Sequence, residues 1–272
     1  MFIPANKKKF IDKSLQLEEL DHRIFDLEDS VAEKDIEIAI DNLKSIEILK
    51  SDWIRIPIGR SEQAELINEI HELGFSNYVI PKYEGYEGFK NIFIDINSIN
   101  KQAKFILLLE NPKAYLDLER TLNEFSSSVY GVSLGIHDFA FESGMKNDYK
   151  LLRNIRIKIM LTAKAHSVKP LDVVSMHLKD KKWLEDEILD GFESGYRGKL
   201  LIHPYQLEVL NSVEFYTLKQ VKEYEKVLKH FKENVKEKDV VFSFNDRVYE
   251  KMHIEEIRKI VEWGISFYGT DW

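Results

Sequence analysis

At 272 residues, with 44% hydrophobic and 32% charged side chains, the chain is long and apolar enough to enclose a sizeable core, which excludes a disordered polypeptide. Its 39 lysines and arginines against 47 aspartates and glutamates give a formal charge of −8, which argues against nucleic acid or an anionic membrane as a partner. Zero cysteines remove disulfides, thiolate metal sites and cysteine nucleophiles, and with no signal-like start and no run of about 18 apolar residues the expected location is the cytoplasm.

In chain order, short β-rich runs recur with helical stretches between them. They read MFIPAN (1–6), RIFDLED (23–29), WIRIPI (53–58), YVIPK (78–82), FILLLE (105–110), VYGVSLG (129–135), PLDVVSM (170–176) and GKLLIH (198–203). Most are nearly continuous in apolar residues, as parallel strands covered on both faces require. The helical stretch after the third run places Ala64, Ile67, Ile70 and His71 on one side and puts Gly74 where a helix end wants a residue able to take positive φ. Residues 83–104, with two glycines and scattered asparagines, are too irregular to predict a clean helix. Eight strands alternating with helices predict a closed (β/α)₈ TIM barrel over residues 1–215. No GxGxxG or GxxxxGK[ST] supports a nucleotide-binding sheet instead.

Beyond the eighth strand, 216–235 predicts a long amphipathic helix with Leu218, Val221, Tyr224, Leu228 and Phe231 on one face. A turn-like FSFNDR and a second amphipathic segment, EEIRKIVEWG, follow. This is more chain than a barrel needs, so 216–272 is expected to be a C-terminal helical arm that packs under the barrel or reaches a neighbouring subunit.

In such barrels chemistry sits at the carboxyl ends of the strands. Those positions collect Asn6, Glu28, Asp29, Arg55, Lys82, Glu110, Asp138, Asp172 and His203. Several carboxylates with one arginine and one lysine make a site for a hard divalent cation and an anionic ligand. Glu110 and Asp138 close successive strands, and two oxygen ligands with the other positions left to water and substrate is a usual way to hold Mg²⁺. The bland alternative for each is a helix cap or an Asx-type turn. Alternation in WIRIPI puts Arg55 on the face of Trp53, looking into the barrel, where its fork of donors suits a substrate carboxylate; the competing reading is a structural partner for Glu28 or Asp29. His137 and His203 are read as hydrogen-bonded histidines before metal ligands. Three lysines, Lys7 to Lys9, open the first helix against its macrodipole, and solvated side chains are the ordinary account of them.

At this point the motifs are familiar. FIPAN (2–6) resembles the opening FVPGN of the citrate lyase beta-subunit branch of the HpcH/HpaI aldolase superfamily, and DLEDSV (26–31) resembles its DLEDAV signature. Arg55-Ile56-Pro57 stands where the family has RVN, Ile80-Pro81-Lys82 where it has LPK, and Leu109-Glu110-Asn111 where it has IET. GIHDF (135–139) resembles GAEDL, GKLLIHPYQ (198–206) resembles GKxxIHPxQ, and NDRVYEKMHI (245–254) resembles DGKMIDRPV. The departures are Ala5 for glycine, Pro57 for asparagine, His137 for the glutamate before the aspartate, and Glu250-Lys251-Met252 for aspartate-arginine-proline.

The resemblance implies a Mg²⁺-dependent carbon–carbon lyase that cleaves or condenses a 2-oxo acid or acyl-CoA through a metal-stabilised enolate. It implies that Glu110 and Asp138 ligate the metal, with Glu28 and Asp29 near its water shell, and that Arg55 grips a substrate carboxylate. Glu250 falls where some relatives supply an acid–base aspartate from an adjacent subunit, and a homo-oligomer, a trimer or hexamer, is expected. Two other functions stand beside this one: a regulatory or catalytically altered metal-binding barrel, and a thioester hydrolase acting on an acyl-CoA.

Overall fold

The computed structural model describes residues 1–59, 63–235 and 240–270, and the chain divides into two compact units, Met1–Asn211 and Ser212–Trp272. In the first unit β1 (Phe2–Pro4), β2 (Ile24–Asp26), β3 (Trp53–Arg55), β4 (Asn77–Ile80), β5 (Lys104–Leu109), β6 (Val129–Leu134), β7 (Lys169–Asp172) and β8 (Gly198–Lys199) form one parallel sheet in sequence order. The ring closes where the Phe2 N–H donates to the Leu201 carbonyl at 2.8 Å, so first and last strands meet. This is the (β/α)₈ barrel expected. Around it run α1 (Lys8–Ser14), α2 (Ile36–Lys44), α3 (Gln63–Glu72), α4 (Gly85–Ile99), α5 (Pro112–Leu116), α6 (Leu118–Phe125), α7 (Ile136–Ser143), α8 (Arg153–Ala165), α9 (Lys181–Glu193) and α10 (Pro204–Ser212).

Strand alternation sorts the apolar side chains into two layers. Phe2, Ile24, Trp53, Val79, Ile106, Leu108 and Leu200 form one cluster inside the ring. Their strand neighbours Ile3, Phe25, Ile54, Tyr78, Ile80, Phe105, Leu107 and Leu109 join the larger cluster beneath the helices. Each such side chain contributes roughly 1.5–3 kcal/mol on burial, so both faces of the short strands are fixed by packing. The same alternation decides what reaches the mouth. Asp26 follows Ile24, Arg55 follows Trp53, and Glu110 follows Leu108 on the inner face.

Several expectations need correction. Residues 83–104 hold a 15-residue helix, α4, because Tyr86, Phe89 and Ile96 bury one face against the barrel and outweigh the poor propensity of the glycines and asparagines. The strands are shorter than the apolar runs suggest, so Glu28 and Asp29 lie in the turn after β2. Asp138 falls in the first turn of α7 and not at a strand end, since β6 stops at Leu134. Asp172, opposite in parity to the inward Leu171, turns outward: its carboxylate is 2.7 Å from Arg156 Nη2, which is itself fully buried.

In the second unit α11 (Leu218–Asn234) starts on a capping box in which Thr217 and Gln220 bond reciprocally. The turn-like FSFNDR is the bend of a hairpin of β9 (Val241–Phe244) and β10 (Arg247–Glu250), with Asn245 and Asp246 at φ of 49° and 59°, the conformation two-residue hairpin loops demand. Val227, Phe242, Ile254 and Ile257 make a small core beneath α12 (Ile254–Tyr268). Among the described residues no helix is long and apolar enough to cross a membrane.

Candidate functional site

Glu110 sits one residue beyond β5, continuing the inner face, and is only 4% exposed. Its Oε2 accepts the Lys82 N–H at 2.6 Å. On its other side the β6–α7 turn closes over it: the Gly135 N–H donates to the Leu109 carbonyl at 3.0 Å, and a Cβ on Gly135 would lie 2.3 Å from Glu110 Cγ. Only glycine leaves the Glu110 side chain room to lie this close to the turn. Burial pushes the Glu110 carboxyl up to about 8; the Lys82 N–H and Arg55 oppose this, while Glu28 and Asp138 add to it. Asp138 thus acts on Glu110 through its charge, from a helix start where the macrodipole favours a carboxylate.

The second half of the site is built on β2 and β3. Asp26 and Arg55 are partners in the strand register, and the guanidinium grips the carboxylate through two parallel bonds, Nε to Oδ1 at 2.6 Å and Nη2 to Oδ2 at 2.7 Å. Burial raises the Asp26 pKa, but Arg55, the Ser30 hydroxyl and the Glu28 N–H outweigh it, and the net shift is downward. Arg55 Nη1 turns to Asp29 at 3.3 Å and Glu28 at 3.2 Å, and Phe2 covers the guanidinium at 4.8 Å. Lys82 Nζ donates to Glu28 Oε1 and Asp29 Oδ1, both at 2.5 Å. Glu28 is raised, chiefly by burial, whereas for Asp29 the two cations overcome burial and lower it.

The structure therefore joins Glu28, Asp29, Arg55 and Glu110 through Lys82, and Asp138 through its field on Glu110. Arg55 keeps the partners Glu28 and Asp29 that the sequence offered, but its principal partner is Asp26, to which no role was assigned. The signal was present: parity with Ile24 turns Asp26 inward, and the β2–β3 register sets it beside Arg55. Gly135 was also missed, because a close approach between two turns leaves no pattern in one sequence. Glu250 ends β10 in the second unit with its side chain exposed. His137 pairs with Asn147, and His203 accepts the Tyr205 N–H at 3.1 Å as a local cap. Asn6 bonds Asp35 at 3.3 Å.

These residues suit a hard cation. Five carboxylates, Asp26, Glu28, Asp29, Glu110 and Asp138, stand against two basic residues, Arg55 and Lys82, an excess of negative charge that a divalent cation would offset. Only oxygen ligands are on offer, the preference of magnesium over zinc or copper. Among the described residues no three acidic or histidine side chains converge on one point; magnesium, which commonly keeps several waters, would be held here by few protein oxygens.

A barrel with an acidic, oxygen-donor mouth at the carboxyl ends of its strands defines a class: enzymes that use a metal to work on anionic substrates. The chain belongs to the HpcH/HpaI aldolase/citrate lyase family, whose model matches residues 1–204. The carbon–carbon lyase expected from the motifs is the chemistry for which that family is named. The chain is 23% identical over 268 residues to a (3S)-malyl-CoA thioesterase of Cereibacter sphaeroides, covering 95% of this chain and 91% of that protein. It is 23% identical over 296 residues to the mitochondrial citramalyl-CoA lyase of Mus musculus, covering 98% and 85%. To the citrate lyase subunit beta of Haemophilus influenzae it is 22% identical over 281 residues, covering 96% and 94%. The crystal structure of CitE from Mycobacterium tuberculosis in complex with magnesium, acetoacetate and coenzyme A shares the fold, with a TM-score of 0.79 at 20% identity over 97% of this chain and 96% of that one.

Proposed function

We propose that this chain is a magnesium-dependent carbon–carbon lyase that cleaves, or in reverse condenses, an acyl-CoA or 2-oxo acid at the barrel mouth. The observation that carries the reading is Glu110: an inward-facing, buried carboxylate at the end of an apolar strand, clasped by the Lys82 N–H and Gly135, with the charge of Asp138 bearing on it. Glu110 and Asp138 would hold the metal, and Glu28 and Asp29 its water. Bound there, magnesium would stabilise negative charge developing on the substrate's oxygens.

The chain's own residues supply the rest. Arg55 directs Nε and Nη2 to Asp26, which fixes its plane, and Nη1 to Glu28 and Asp29, so a substrate carboxylate would meet the guanidinium by replacing these acids at Nη1. A 3-hydroxyacyl thioester with a carboxylate on the hydroxyl carbon would lose the hydroxyl proton to a base at the mouth. The bond from that carbon to the α-carbon breaks, a 2-oxo acid leaves, and the electron pair on the α-carbon takes up a proton. Glu250 of a neighbouring copy is the acid–base residue in this reading, and residues 216–272 are the arm that delivers it. The likeness to malyl-CoA thioesterases supports a second reading, in which water attacks the thioester carbon and free CoA leaves.

One variant tests the metal assignment. Glu110→Gln keeps the size and the Lys82 bond but removes the charge, and it is expected to abolish magnesium binding in calorimetry together with turnover. Normal magnesium uptake by this variant would contradict the assignment.

A further inference from the structure

Among the described residues Lys82 alone bonds both Glu110 and the acidic turn after β2. Its backbone takes φ of 46°, the left-handed region that a side chain with a Cβ seldom adopts, immediately after buried Pro81. That conformation aims the N–H at Glu110 Oε2, 2.6 Å away, and sends the side chain to the turn after β2, where Nζ meets Glu28 and Asp29 at 2.5 Å each. One residue therefore orients the candidate metal carboxylate with its backbone and neutralises the neighbouring acids with its side chain. Arg55 shares the second task only through Nη1, 3.2 Å from Glu28 and 3.3 Å from Asp29, since its Nε and Nη2 are committed to Asp26.

We infer that Lys82 is the positioning residue of this mouth, and that its charge is what admits a substrate carboxylate beside the acidic cluster. The inference rests on the magnesium-lyase reading. It has an unusual sign. Removing a cation from the cluster makes the mouth more negative, which favours a divalent cation and repels an anionic ligand. A side chain that merely supported the fold would weaken both.

The test is calorimetric. Lys82→Met keeps the N–H on Glu110 and removes the charge; Lys82→Gly does the same while relaxing the positive φ, so it folds even if the methionine variant does not; Lys82→Arg keeps the charge. Magnesium is titrated into each protein, then oxalate into the magnesium-saturated protein. The expected result is magnesium affinity equal to or above wild type in the Met and Gly variants, oxalate affinity about tenfold lower in both, and partial recovery with arginine. Unchanged oxalate affinity, or magnesium affinity lost in both Met and Gly variants, overturns the inference while leaving the metal site standing. Failure of the wild type itself to bind magnesium overturns the metal reading and this inference together.

Discussion

A glutamate at the end of FILLLE is costly to bury, and the structure shows what meets the cost: one backbone N–H, a glycine that yields its side-chain volume, and a neighbourhood short of positive charge that a cation would complete. Gly135→Ala forces a methyl group into Glu110 Cγ, so it is expected to weaken magnesium binding by about tenfold with little loss of fold, read by calorimetry beside a thermal melt. The Asp26–Arg55 pair makes a pH prediction. The Asp26 pKa is lower folded than its ordinary 3.8, so the folded state holds fewer protons, and the stabilisation is complete above that value and lost as pH falls through the folded pKa. Asp26→Asn should cost about 3 kcal/mol at neutral pH in denaturant unfolding, because it strips the main partner from a largely buried arginine. The difference from wild type should shrink as the pH is taken below 3.8; a constant difference would show that the ionised pair is not its source. At this scale Glu110, Arg55, Glu28 and Asp29 were legible as strand-end charges. Asp26 and Gly135 were not, because their importance lies in a register and in a packing distance.

Among the elements, the strands were read from apolar continuity and the helices from their periodic faces, and both signals overran the hydrogen-bonded cores. GKLLIH pairs as a strand only at Gly198–Lys199, although its apolar residues still pack at the ring closure. Helix α4 was invisible to propensity because tertiary burial of Tyr86 and Phe89, not intrinsic preference, pays for it. Asp172 misled for a related reason: it ends a strand, yet it serves the seam between β7 and α8, where Arg156 also meets Asp190 at 2.7 Å. Arg156→Met leaves Asp172 buried without its closest cation and is expected to lower unfolding free energy by about 3–5 kcal/mol. In the second unit a Cβ on Gly264 would lie 2.3 Å from Val221 Cγ1, so Gly264→Val should separate α11 from α12 and abolish their cooperative melting, read in a thermal melt of the full chain beside wild type.

For the whole molecule, alternating strands and helices plus the absence of a nucleotide-binding glycine pattern were enough to predict the barrel, since parity and short connections leave a chain of this pattern few other closed arrangements. The family followed from motifs clustered at strand ends, where the mouth is built. What one sequence does not carry is the choice between breaking a carbon–carbon bond and hydrolysing a thioester, because both reactions use the same metal-centred mouth and differ in which bond is presented to it. The measurement that separates them is a product assay on 3-hydroxyacyl-CoA thioesters carrying a terminal carboxylate, following 2-oxo acid and free CoA thiol at once, with and without a magnesium chelator. A lyase with its metal on Glu110 and Asp138 will release 2-oxo acid and a shortened acyl-CoA with no free thiol, and will stop when magnesium is removed. Free thiol without 2-oxo acid, or cleavage that persists in chelator, would contradict it.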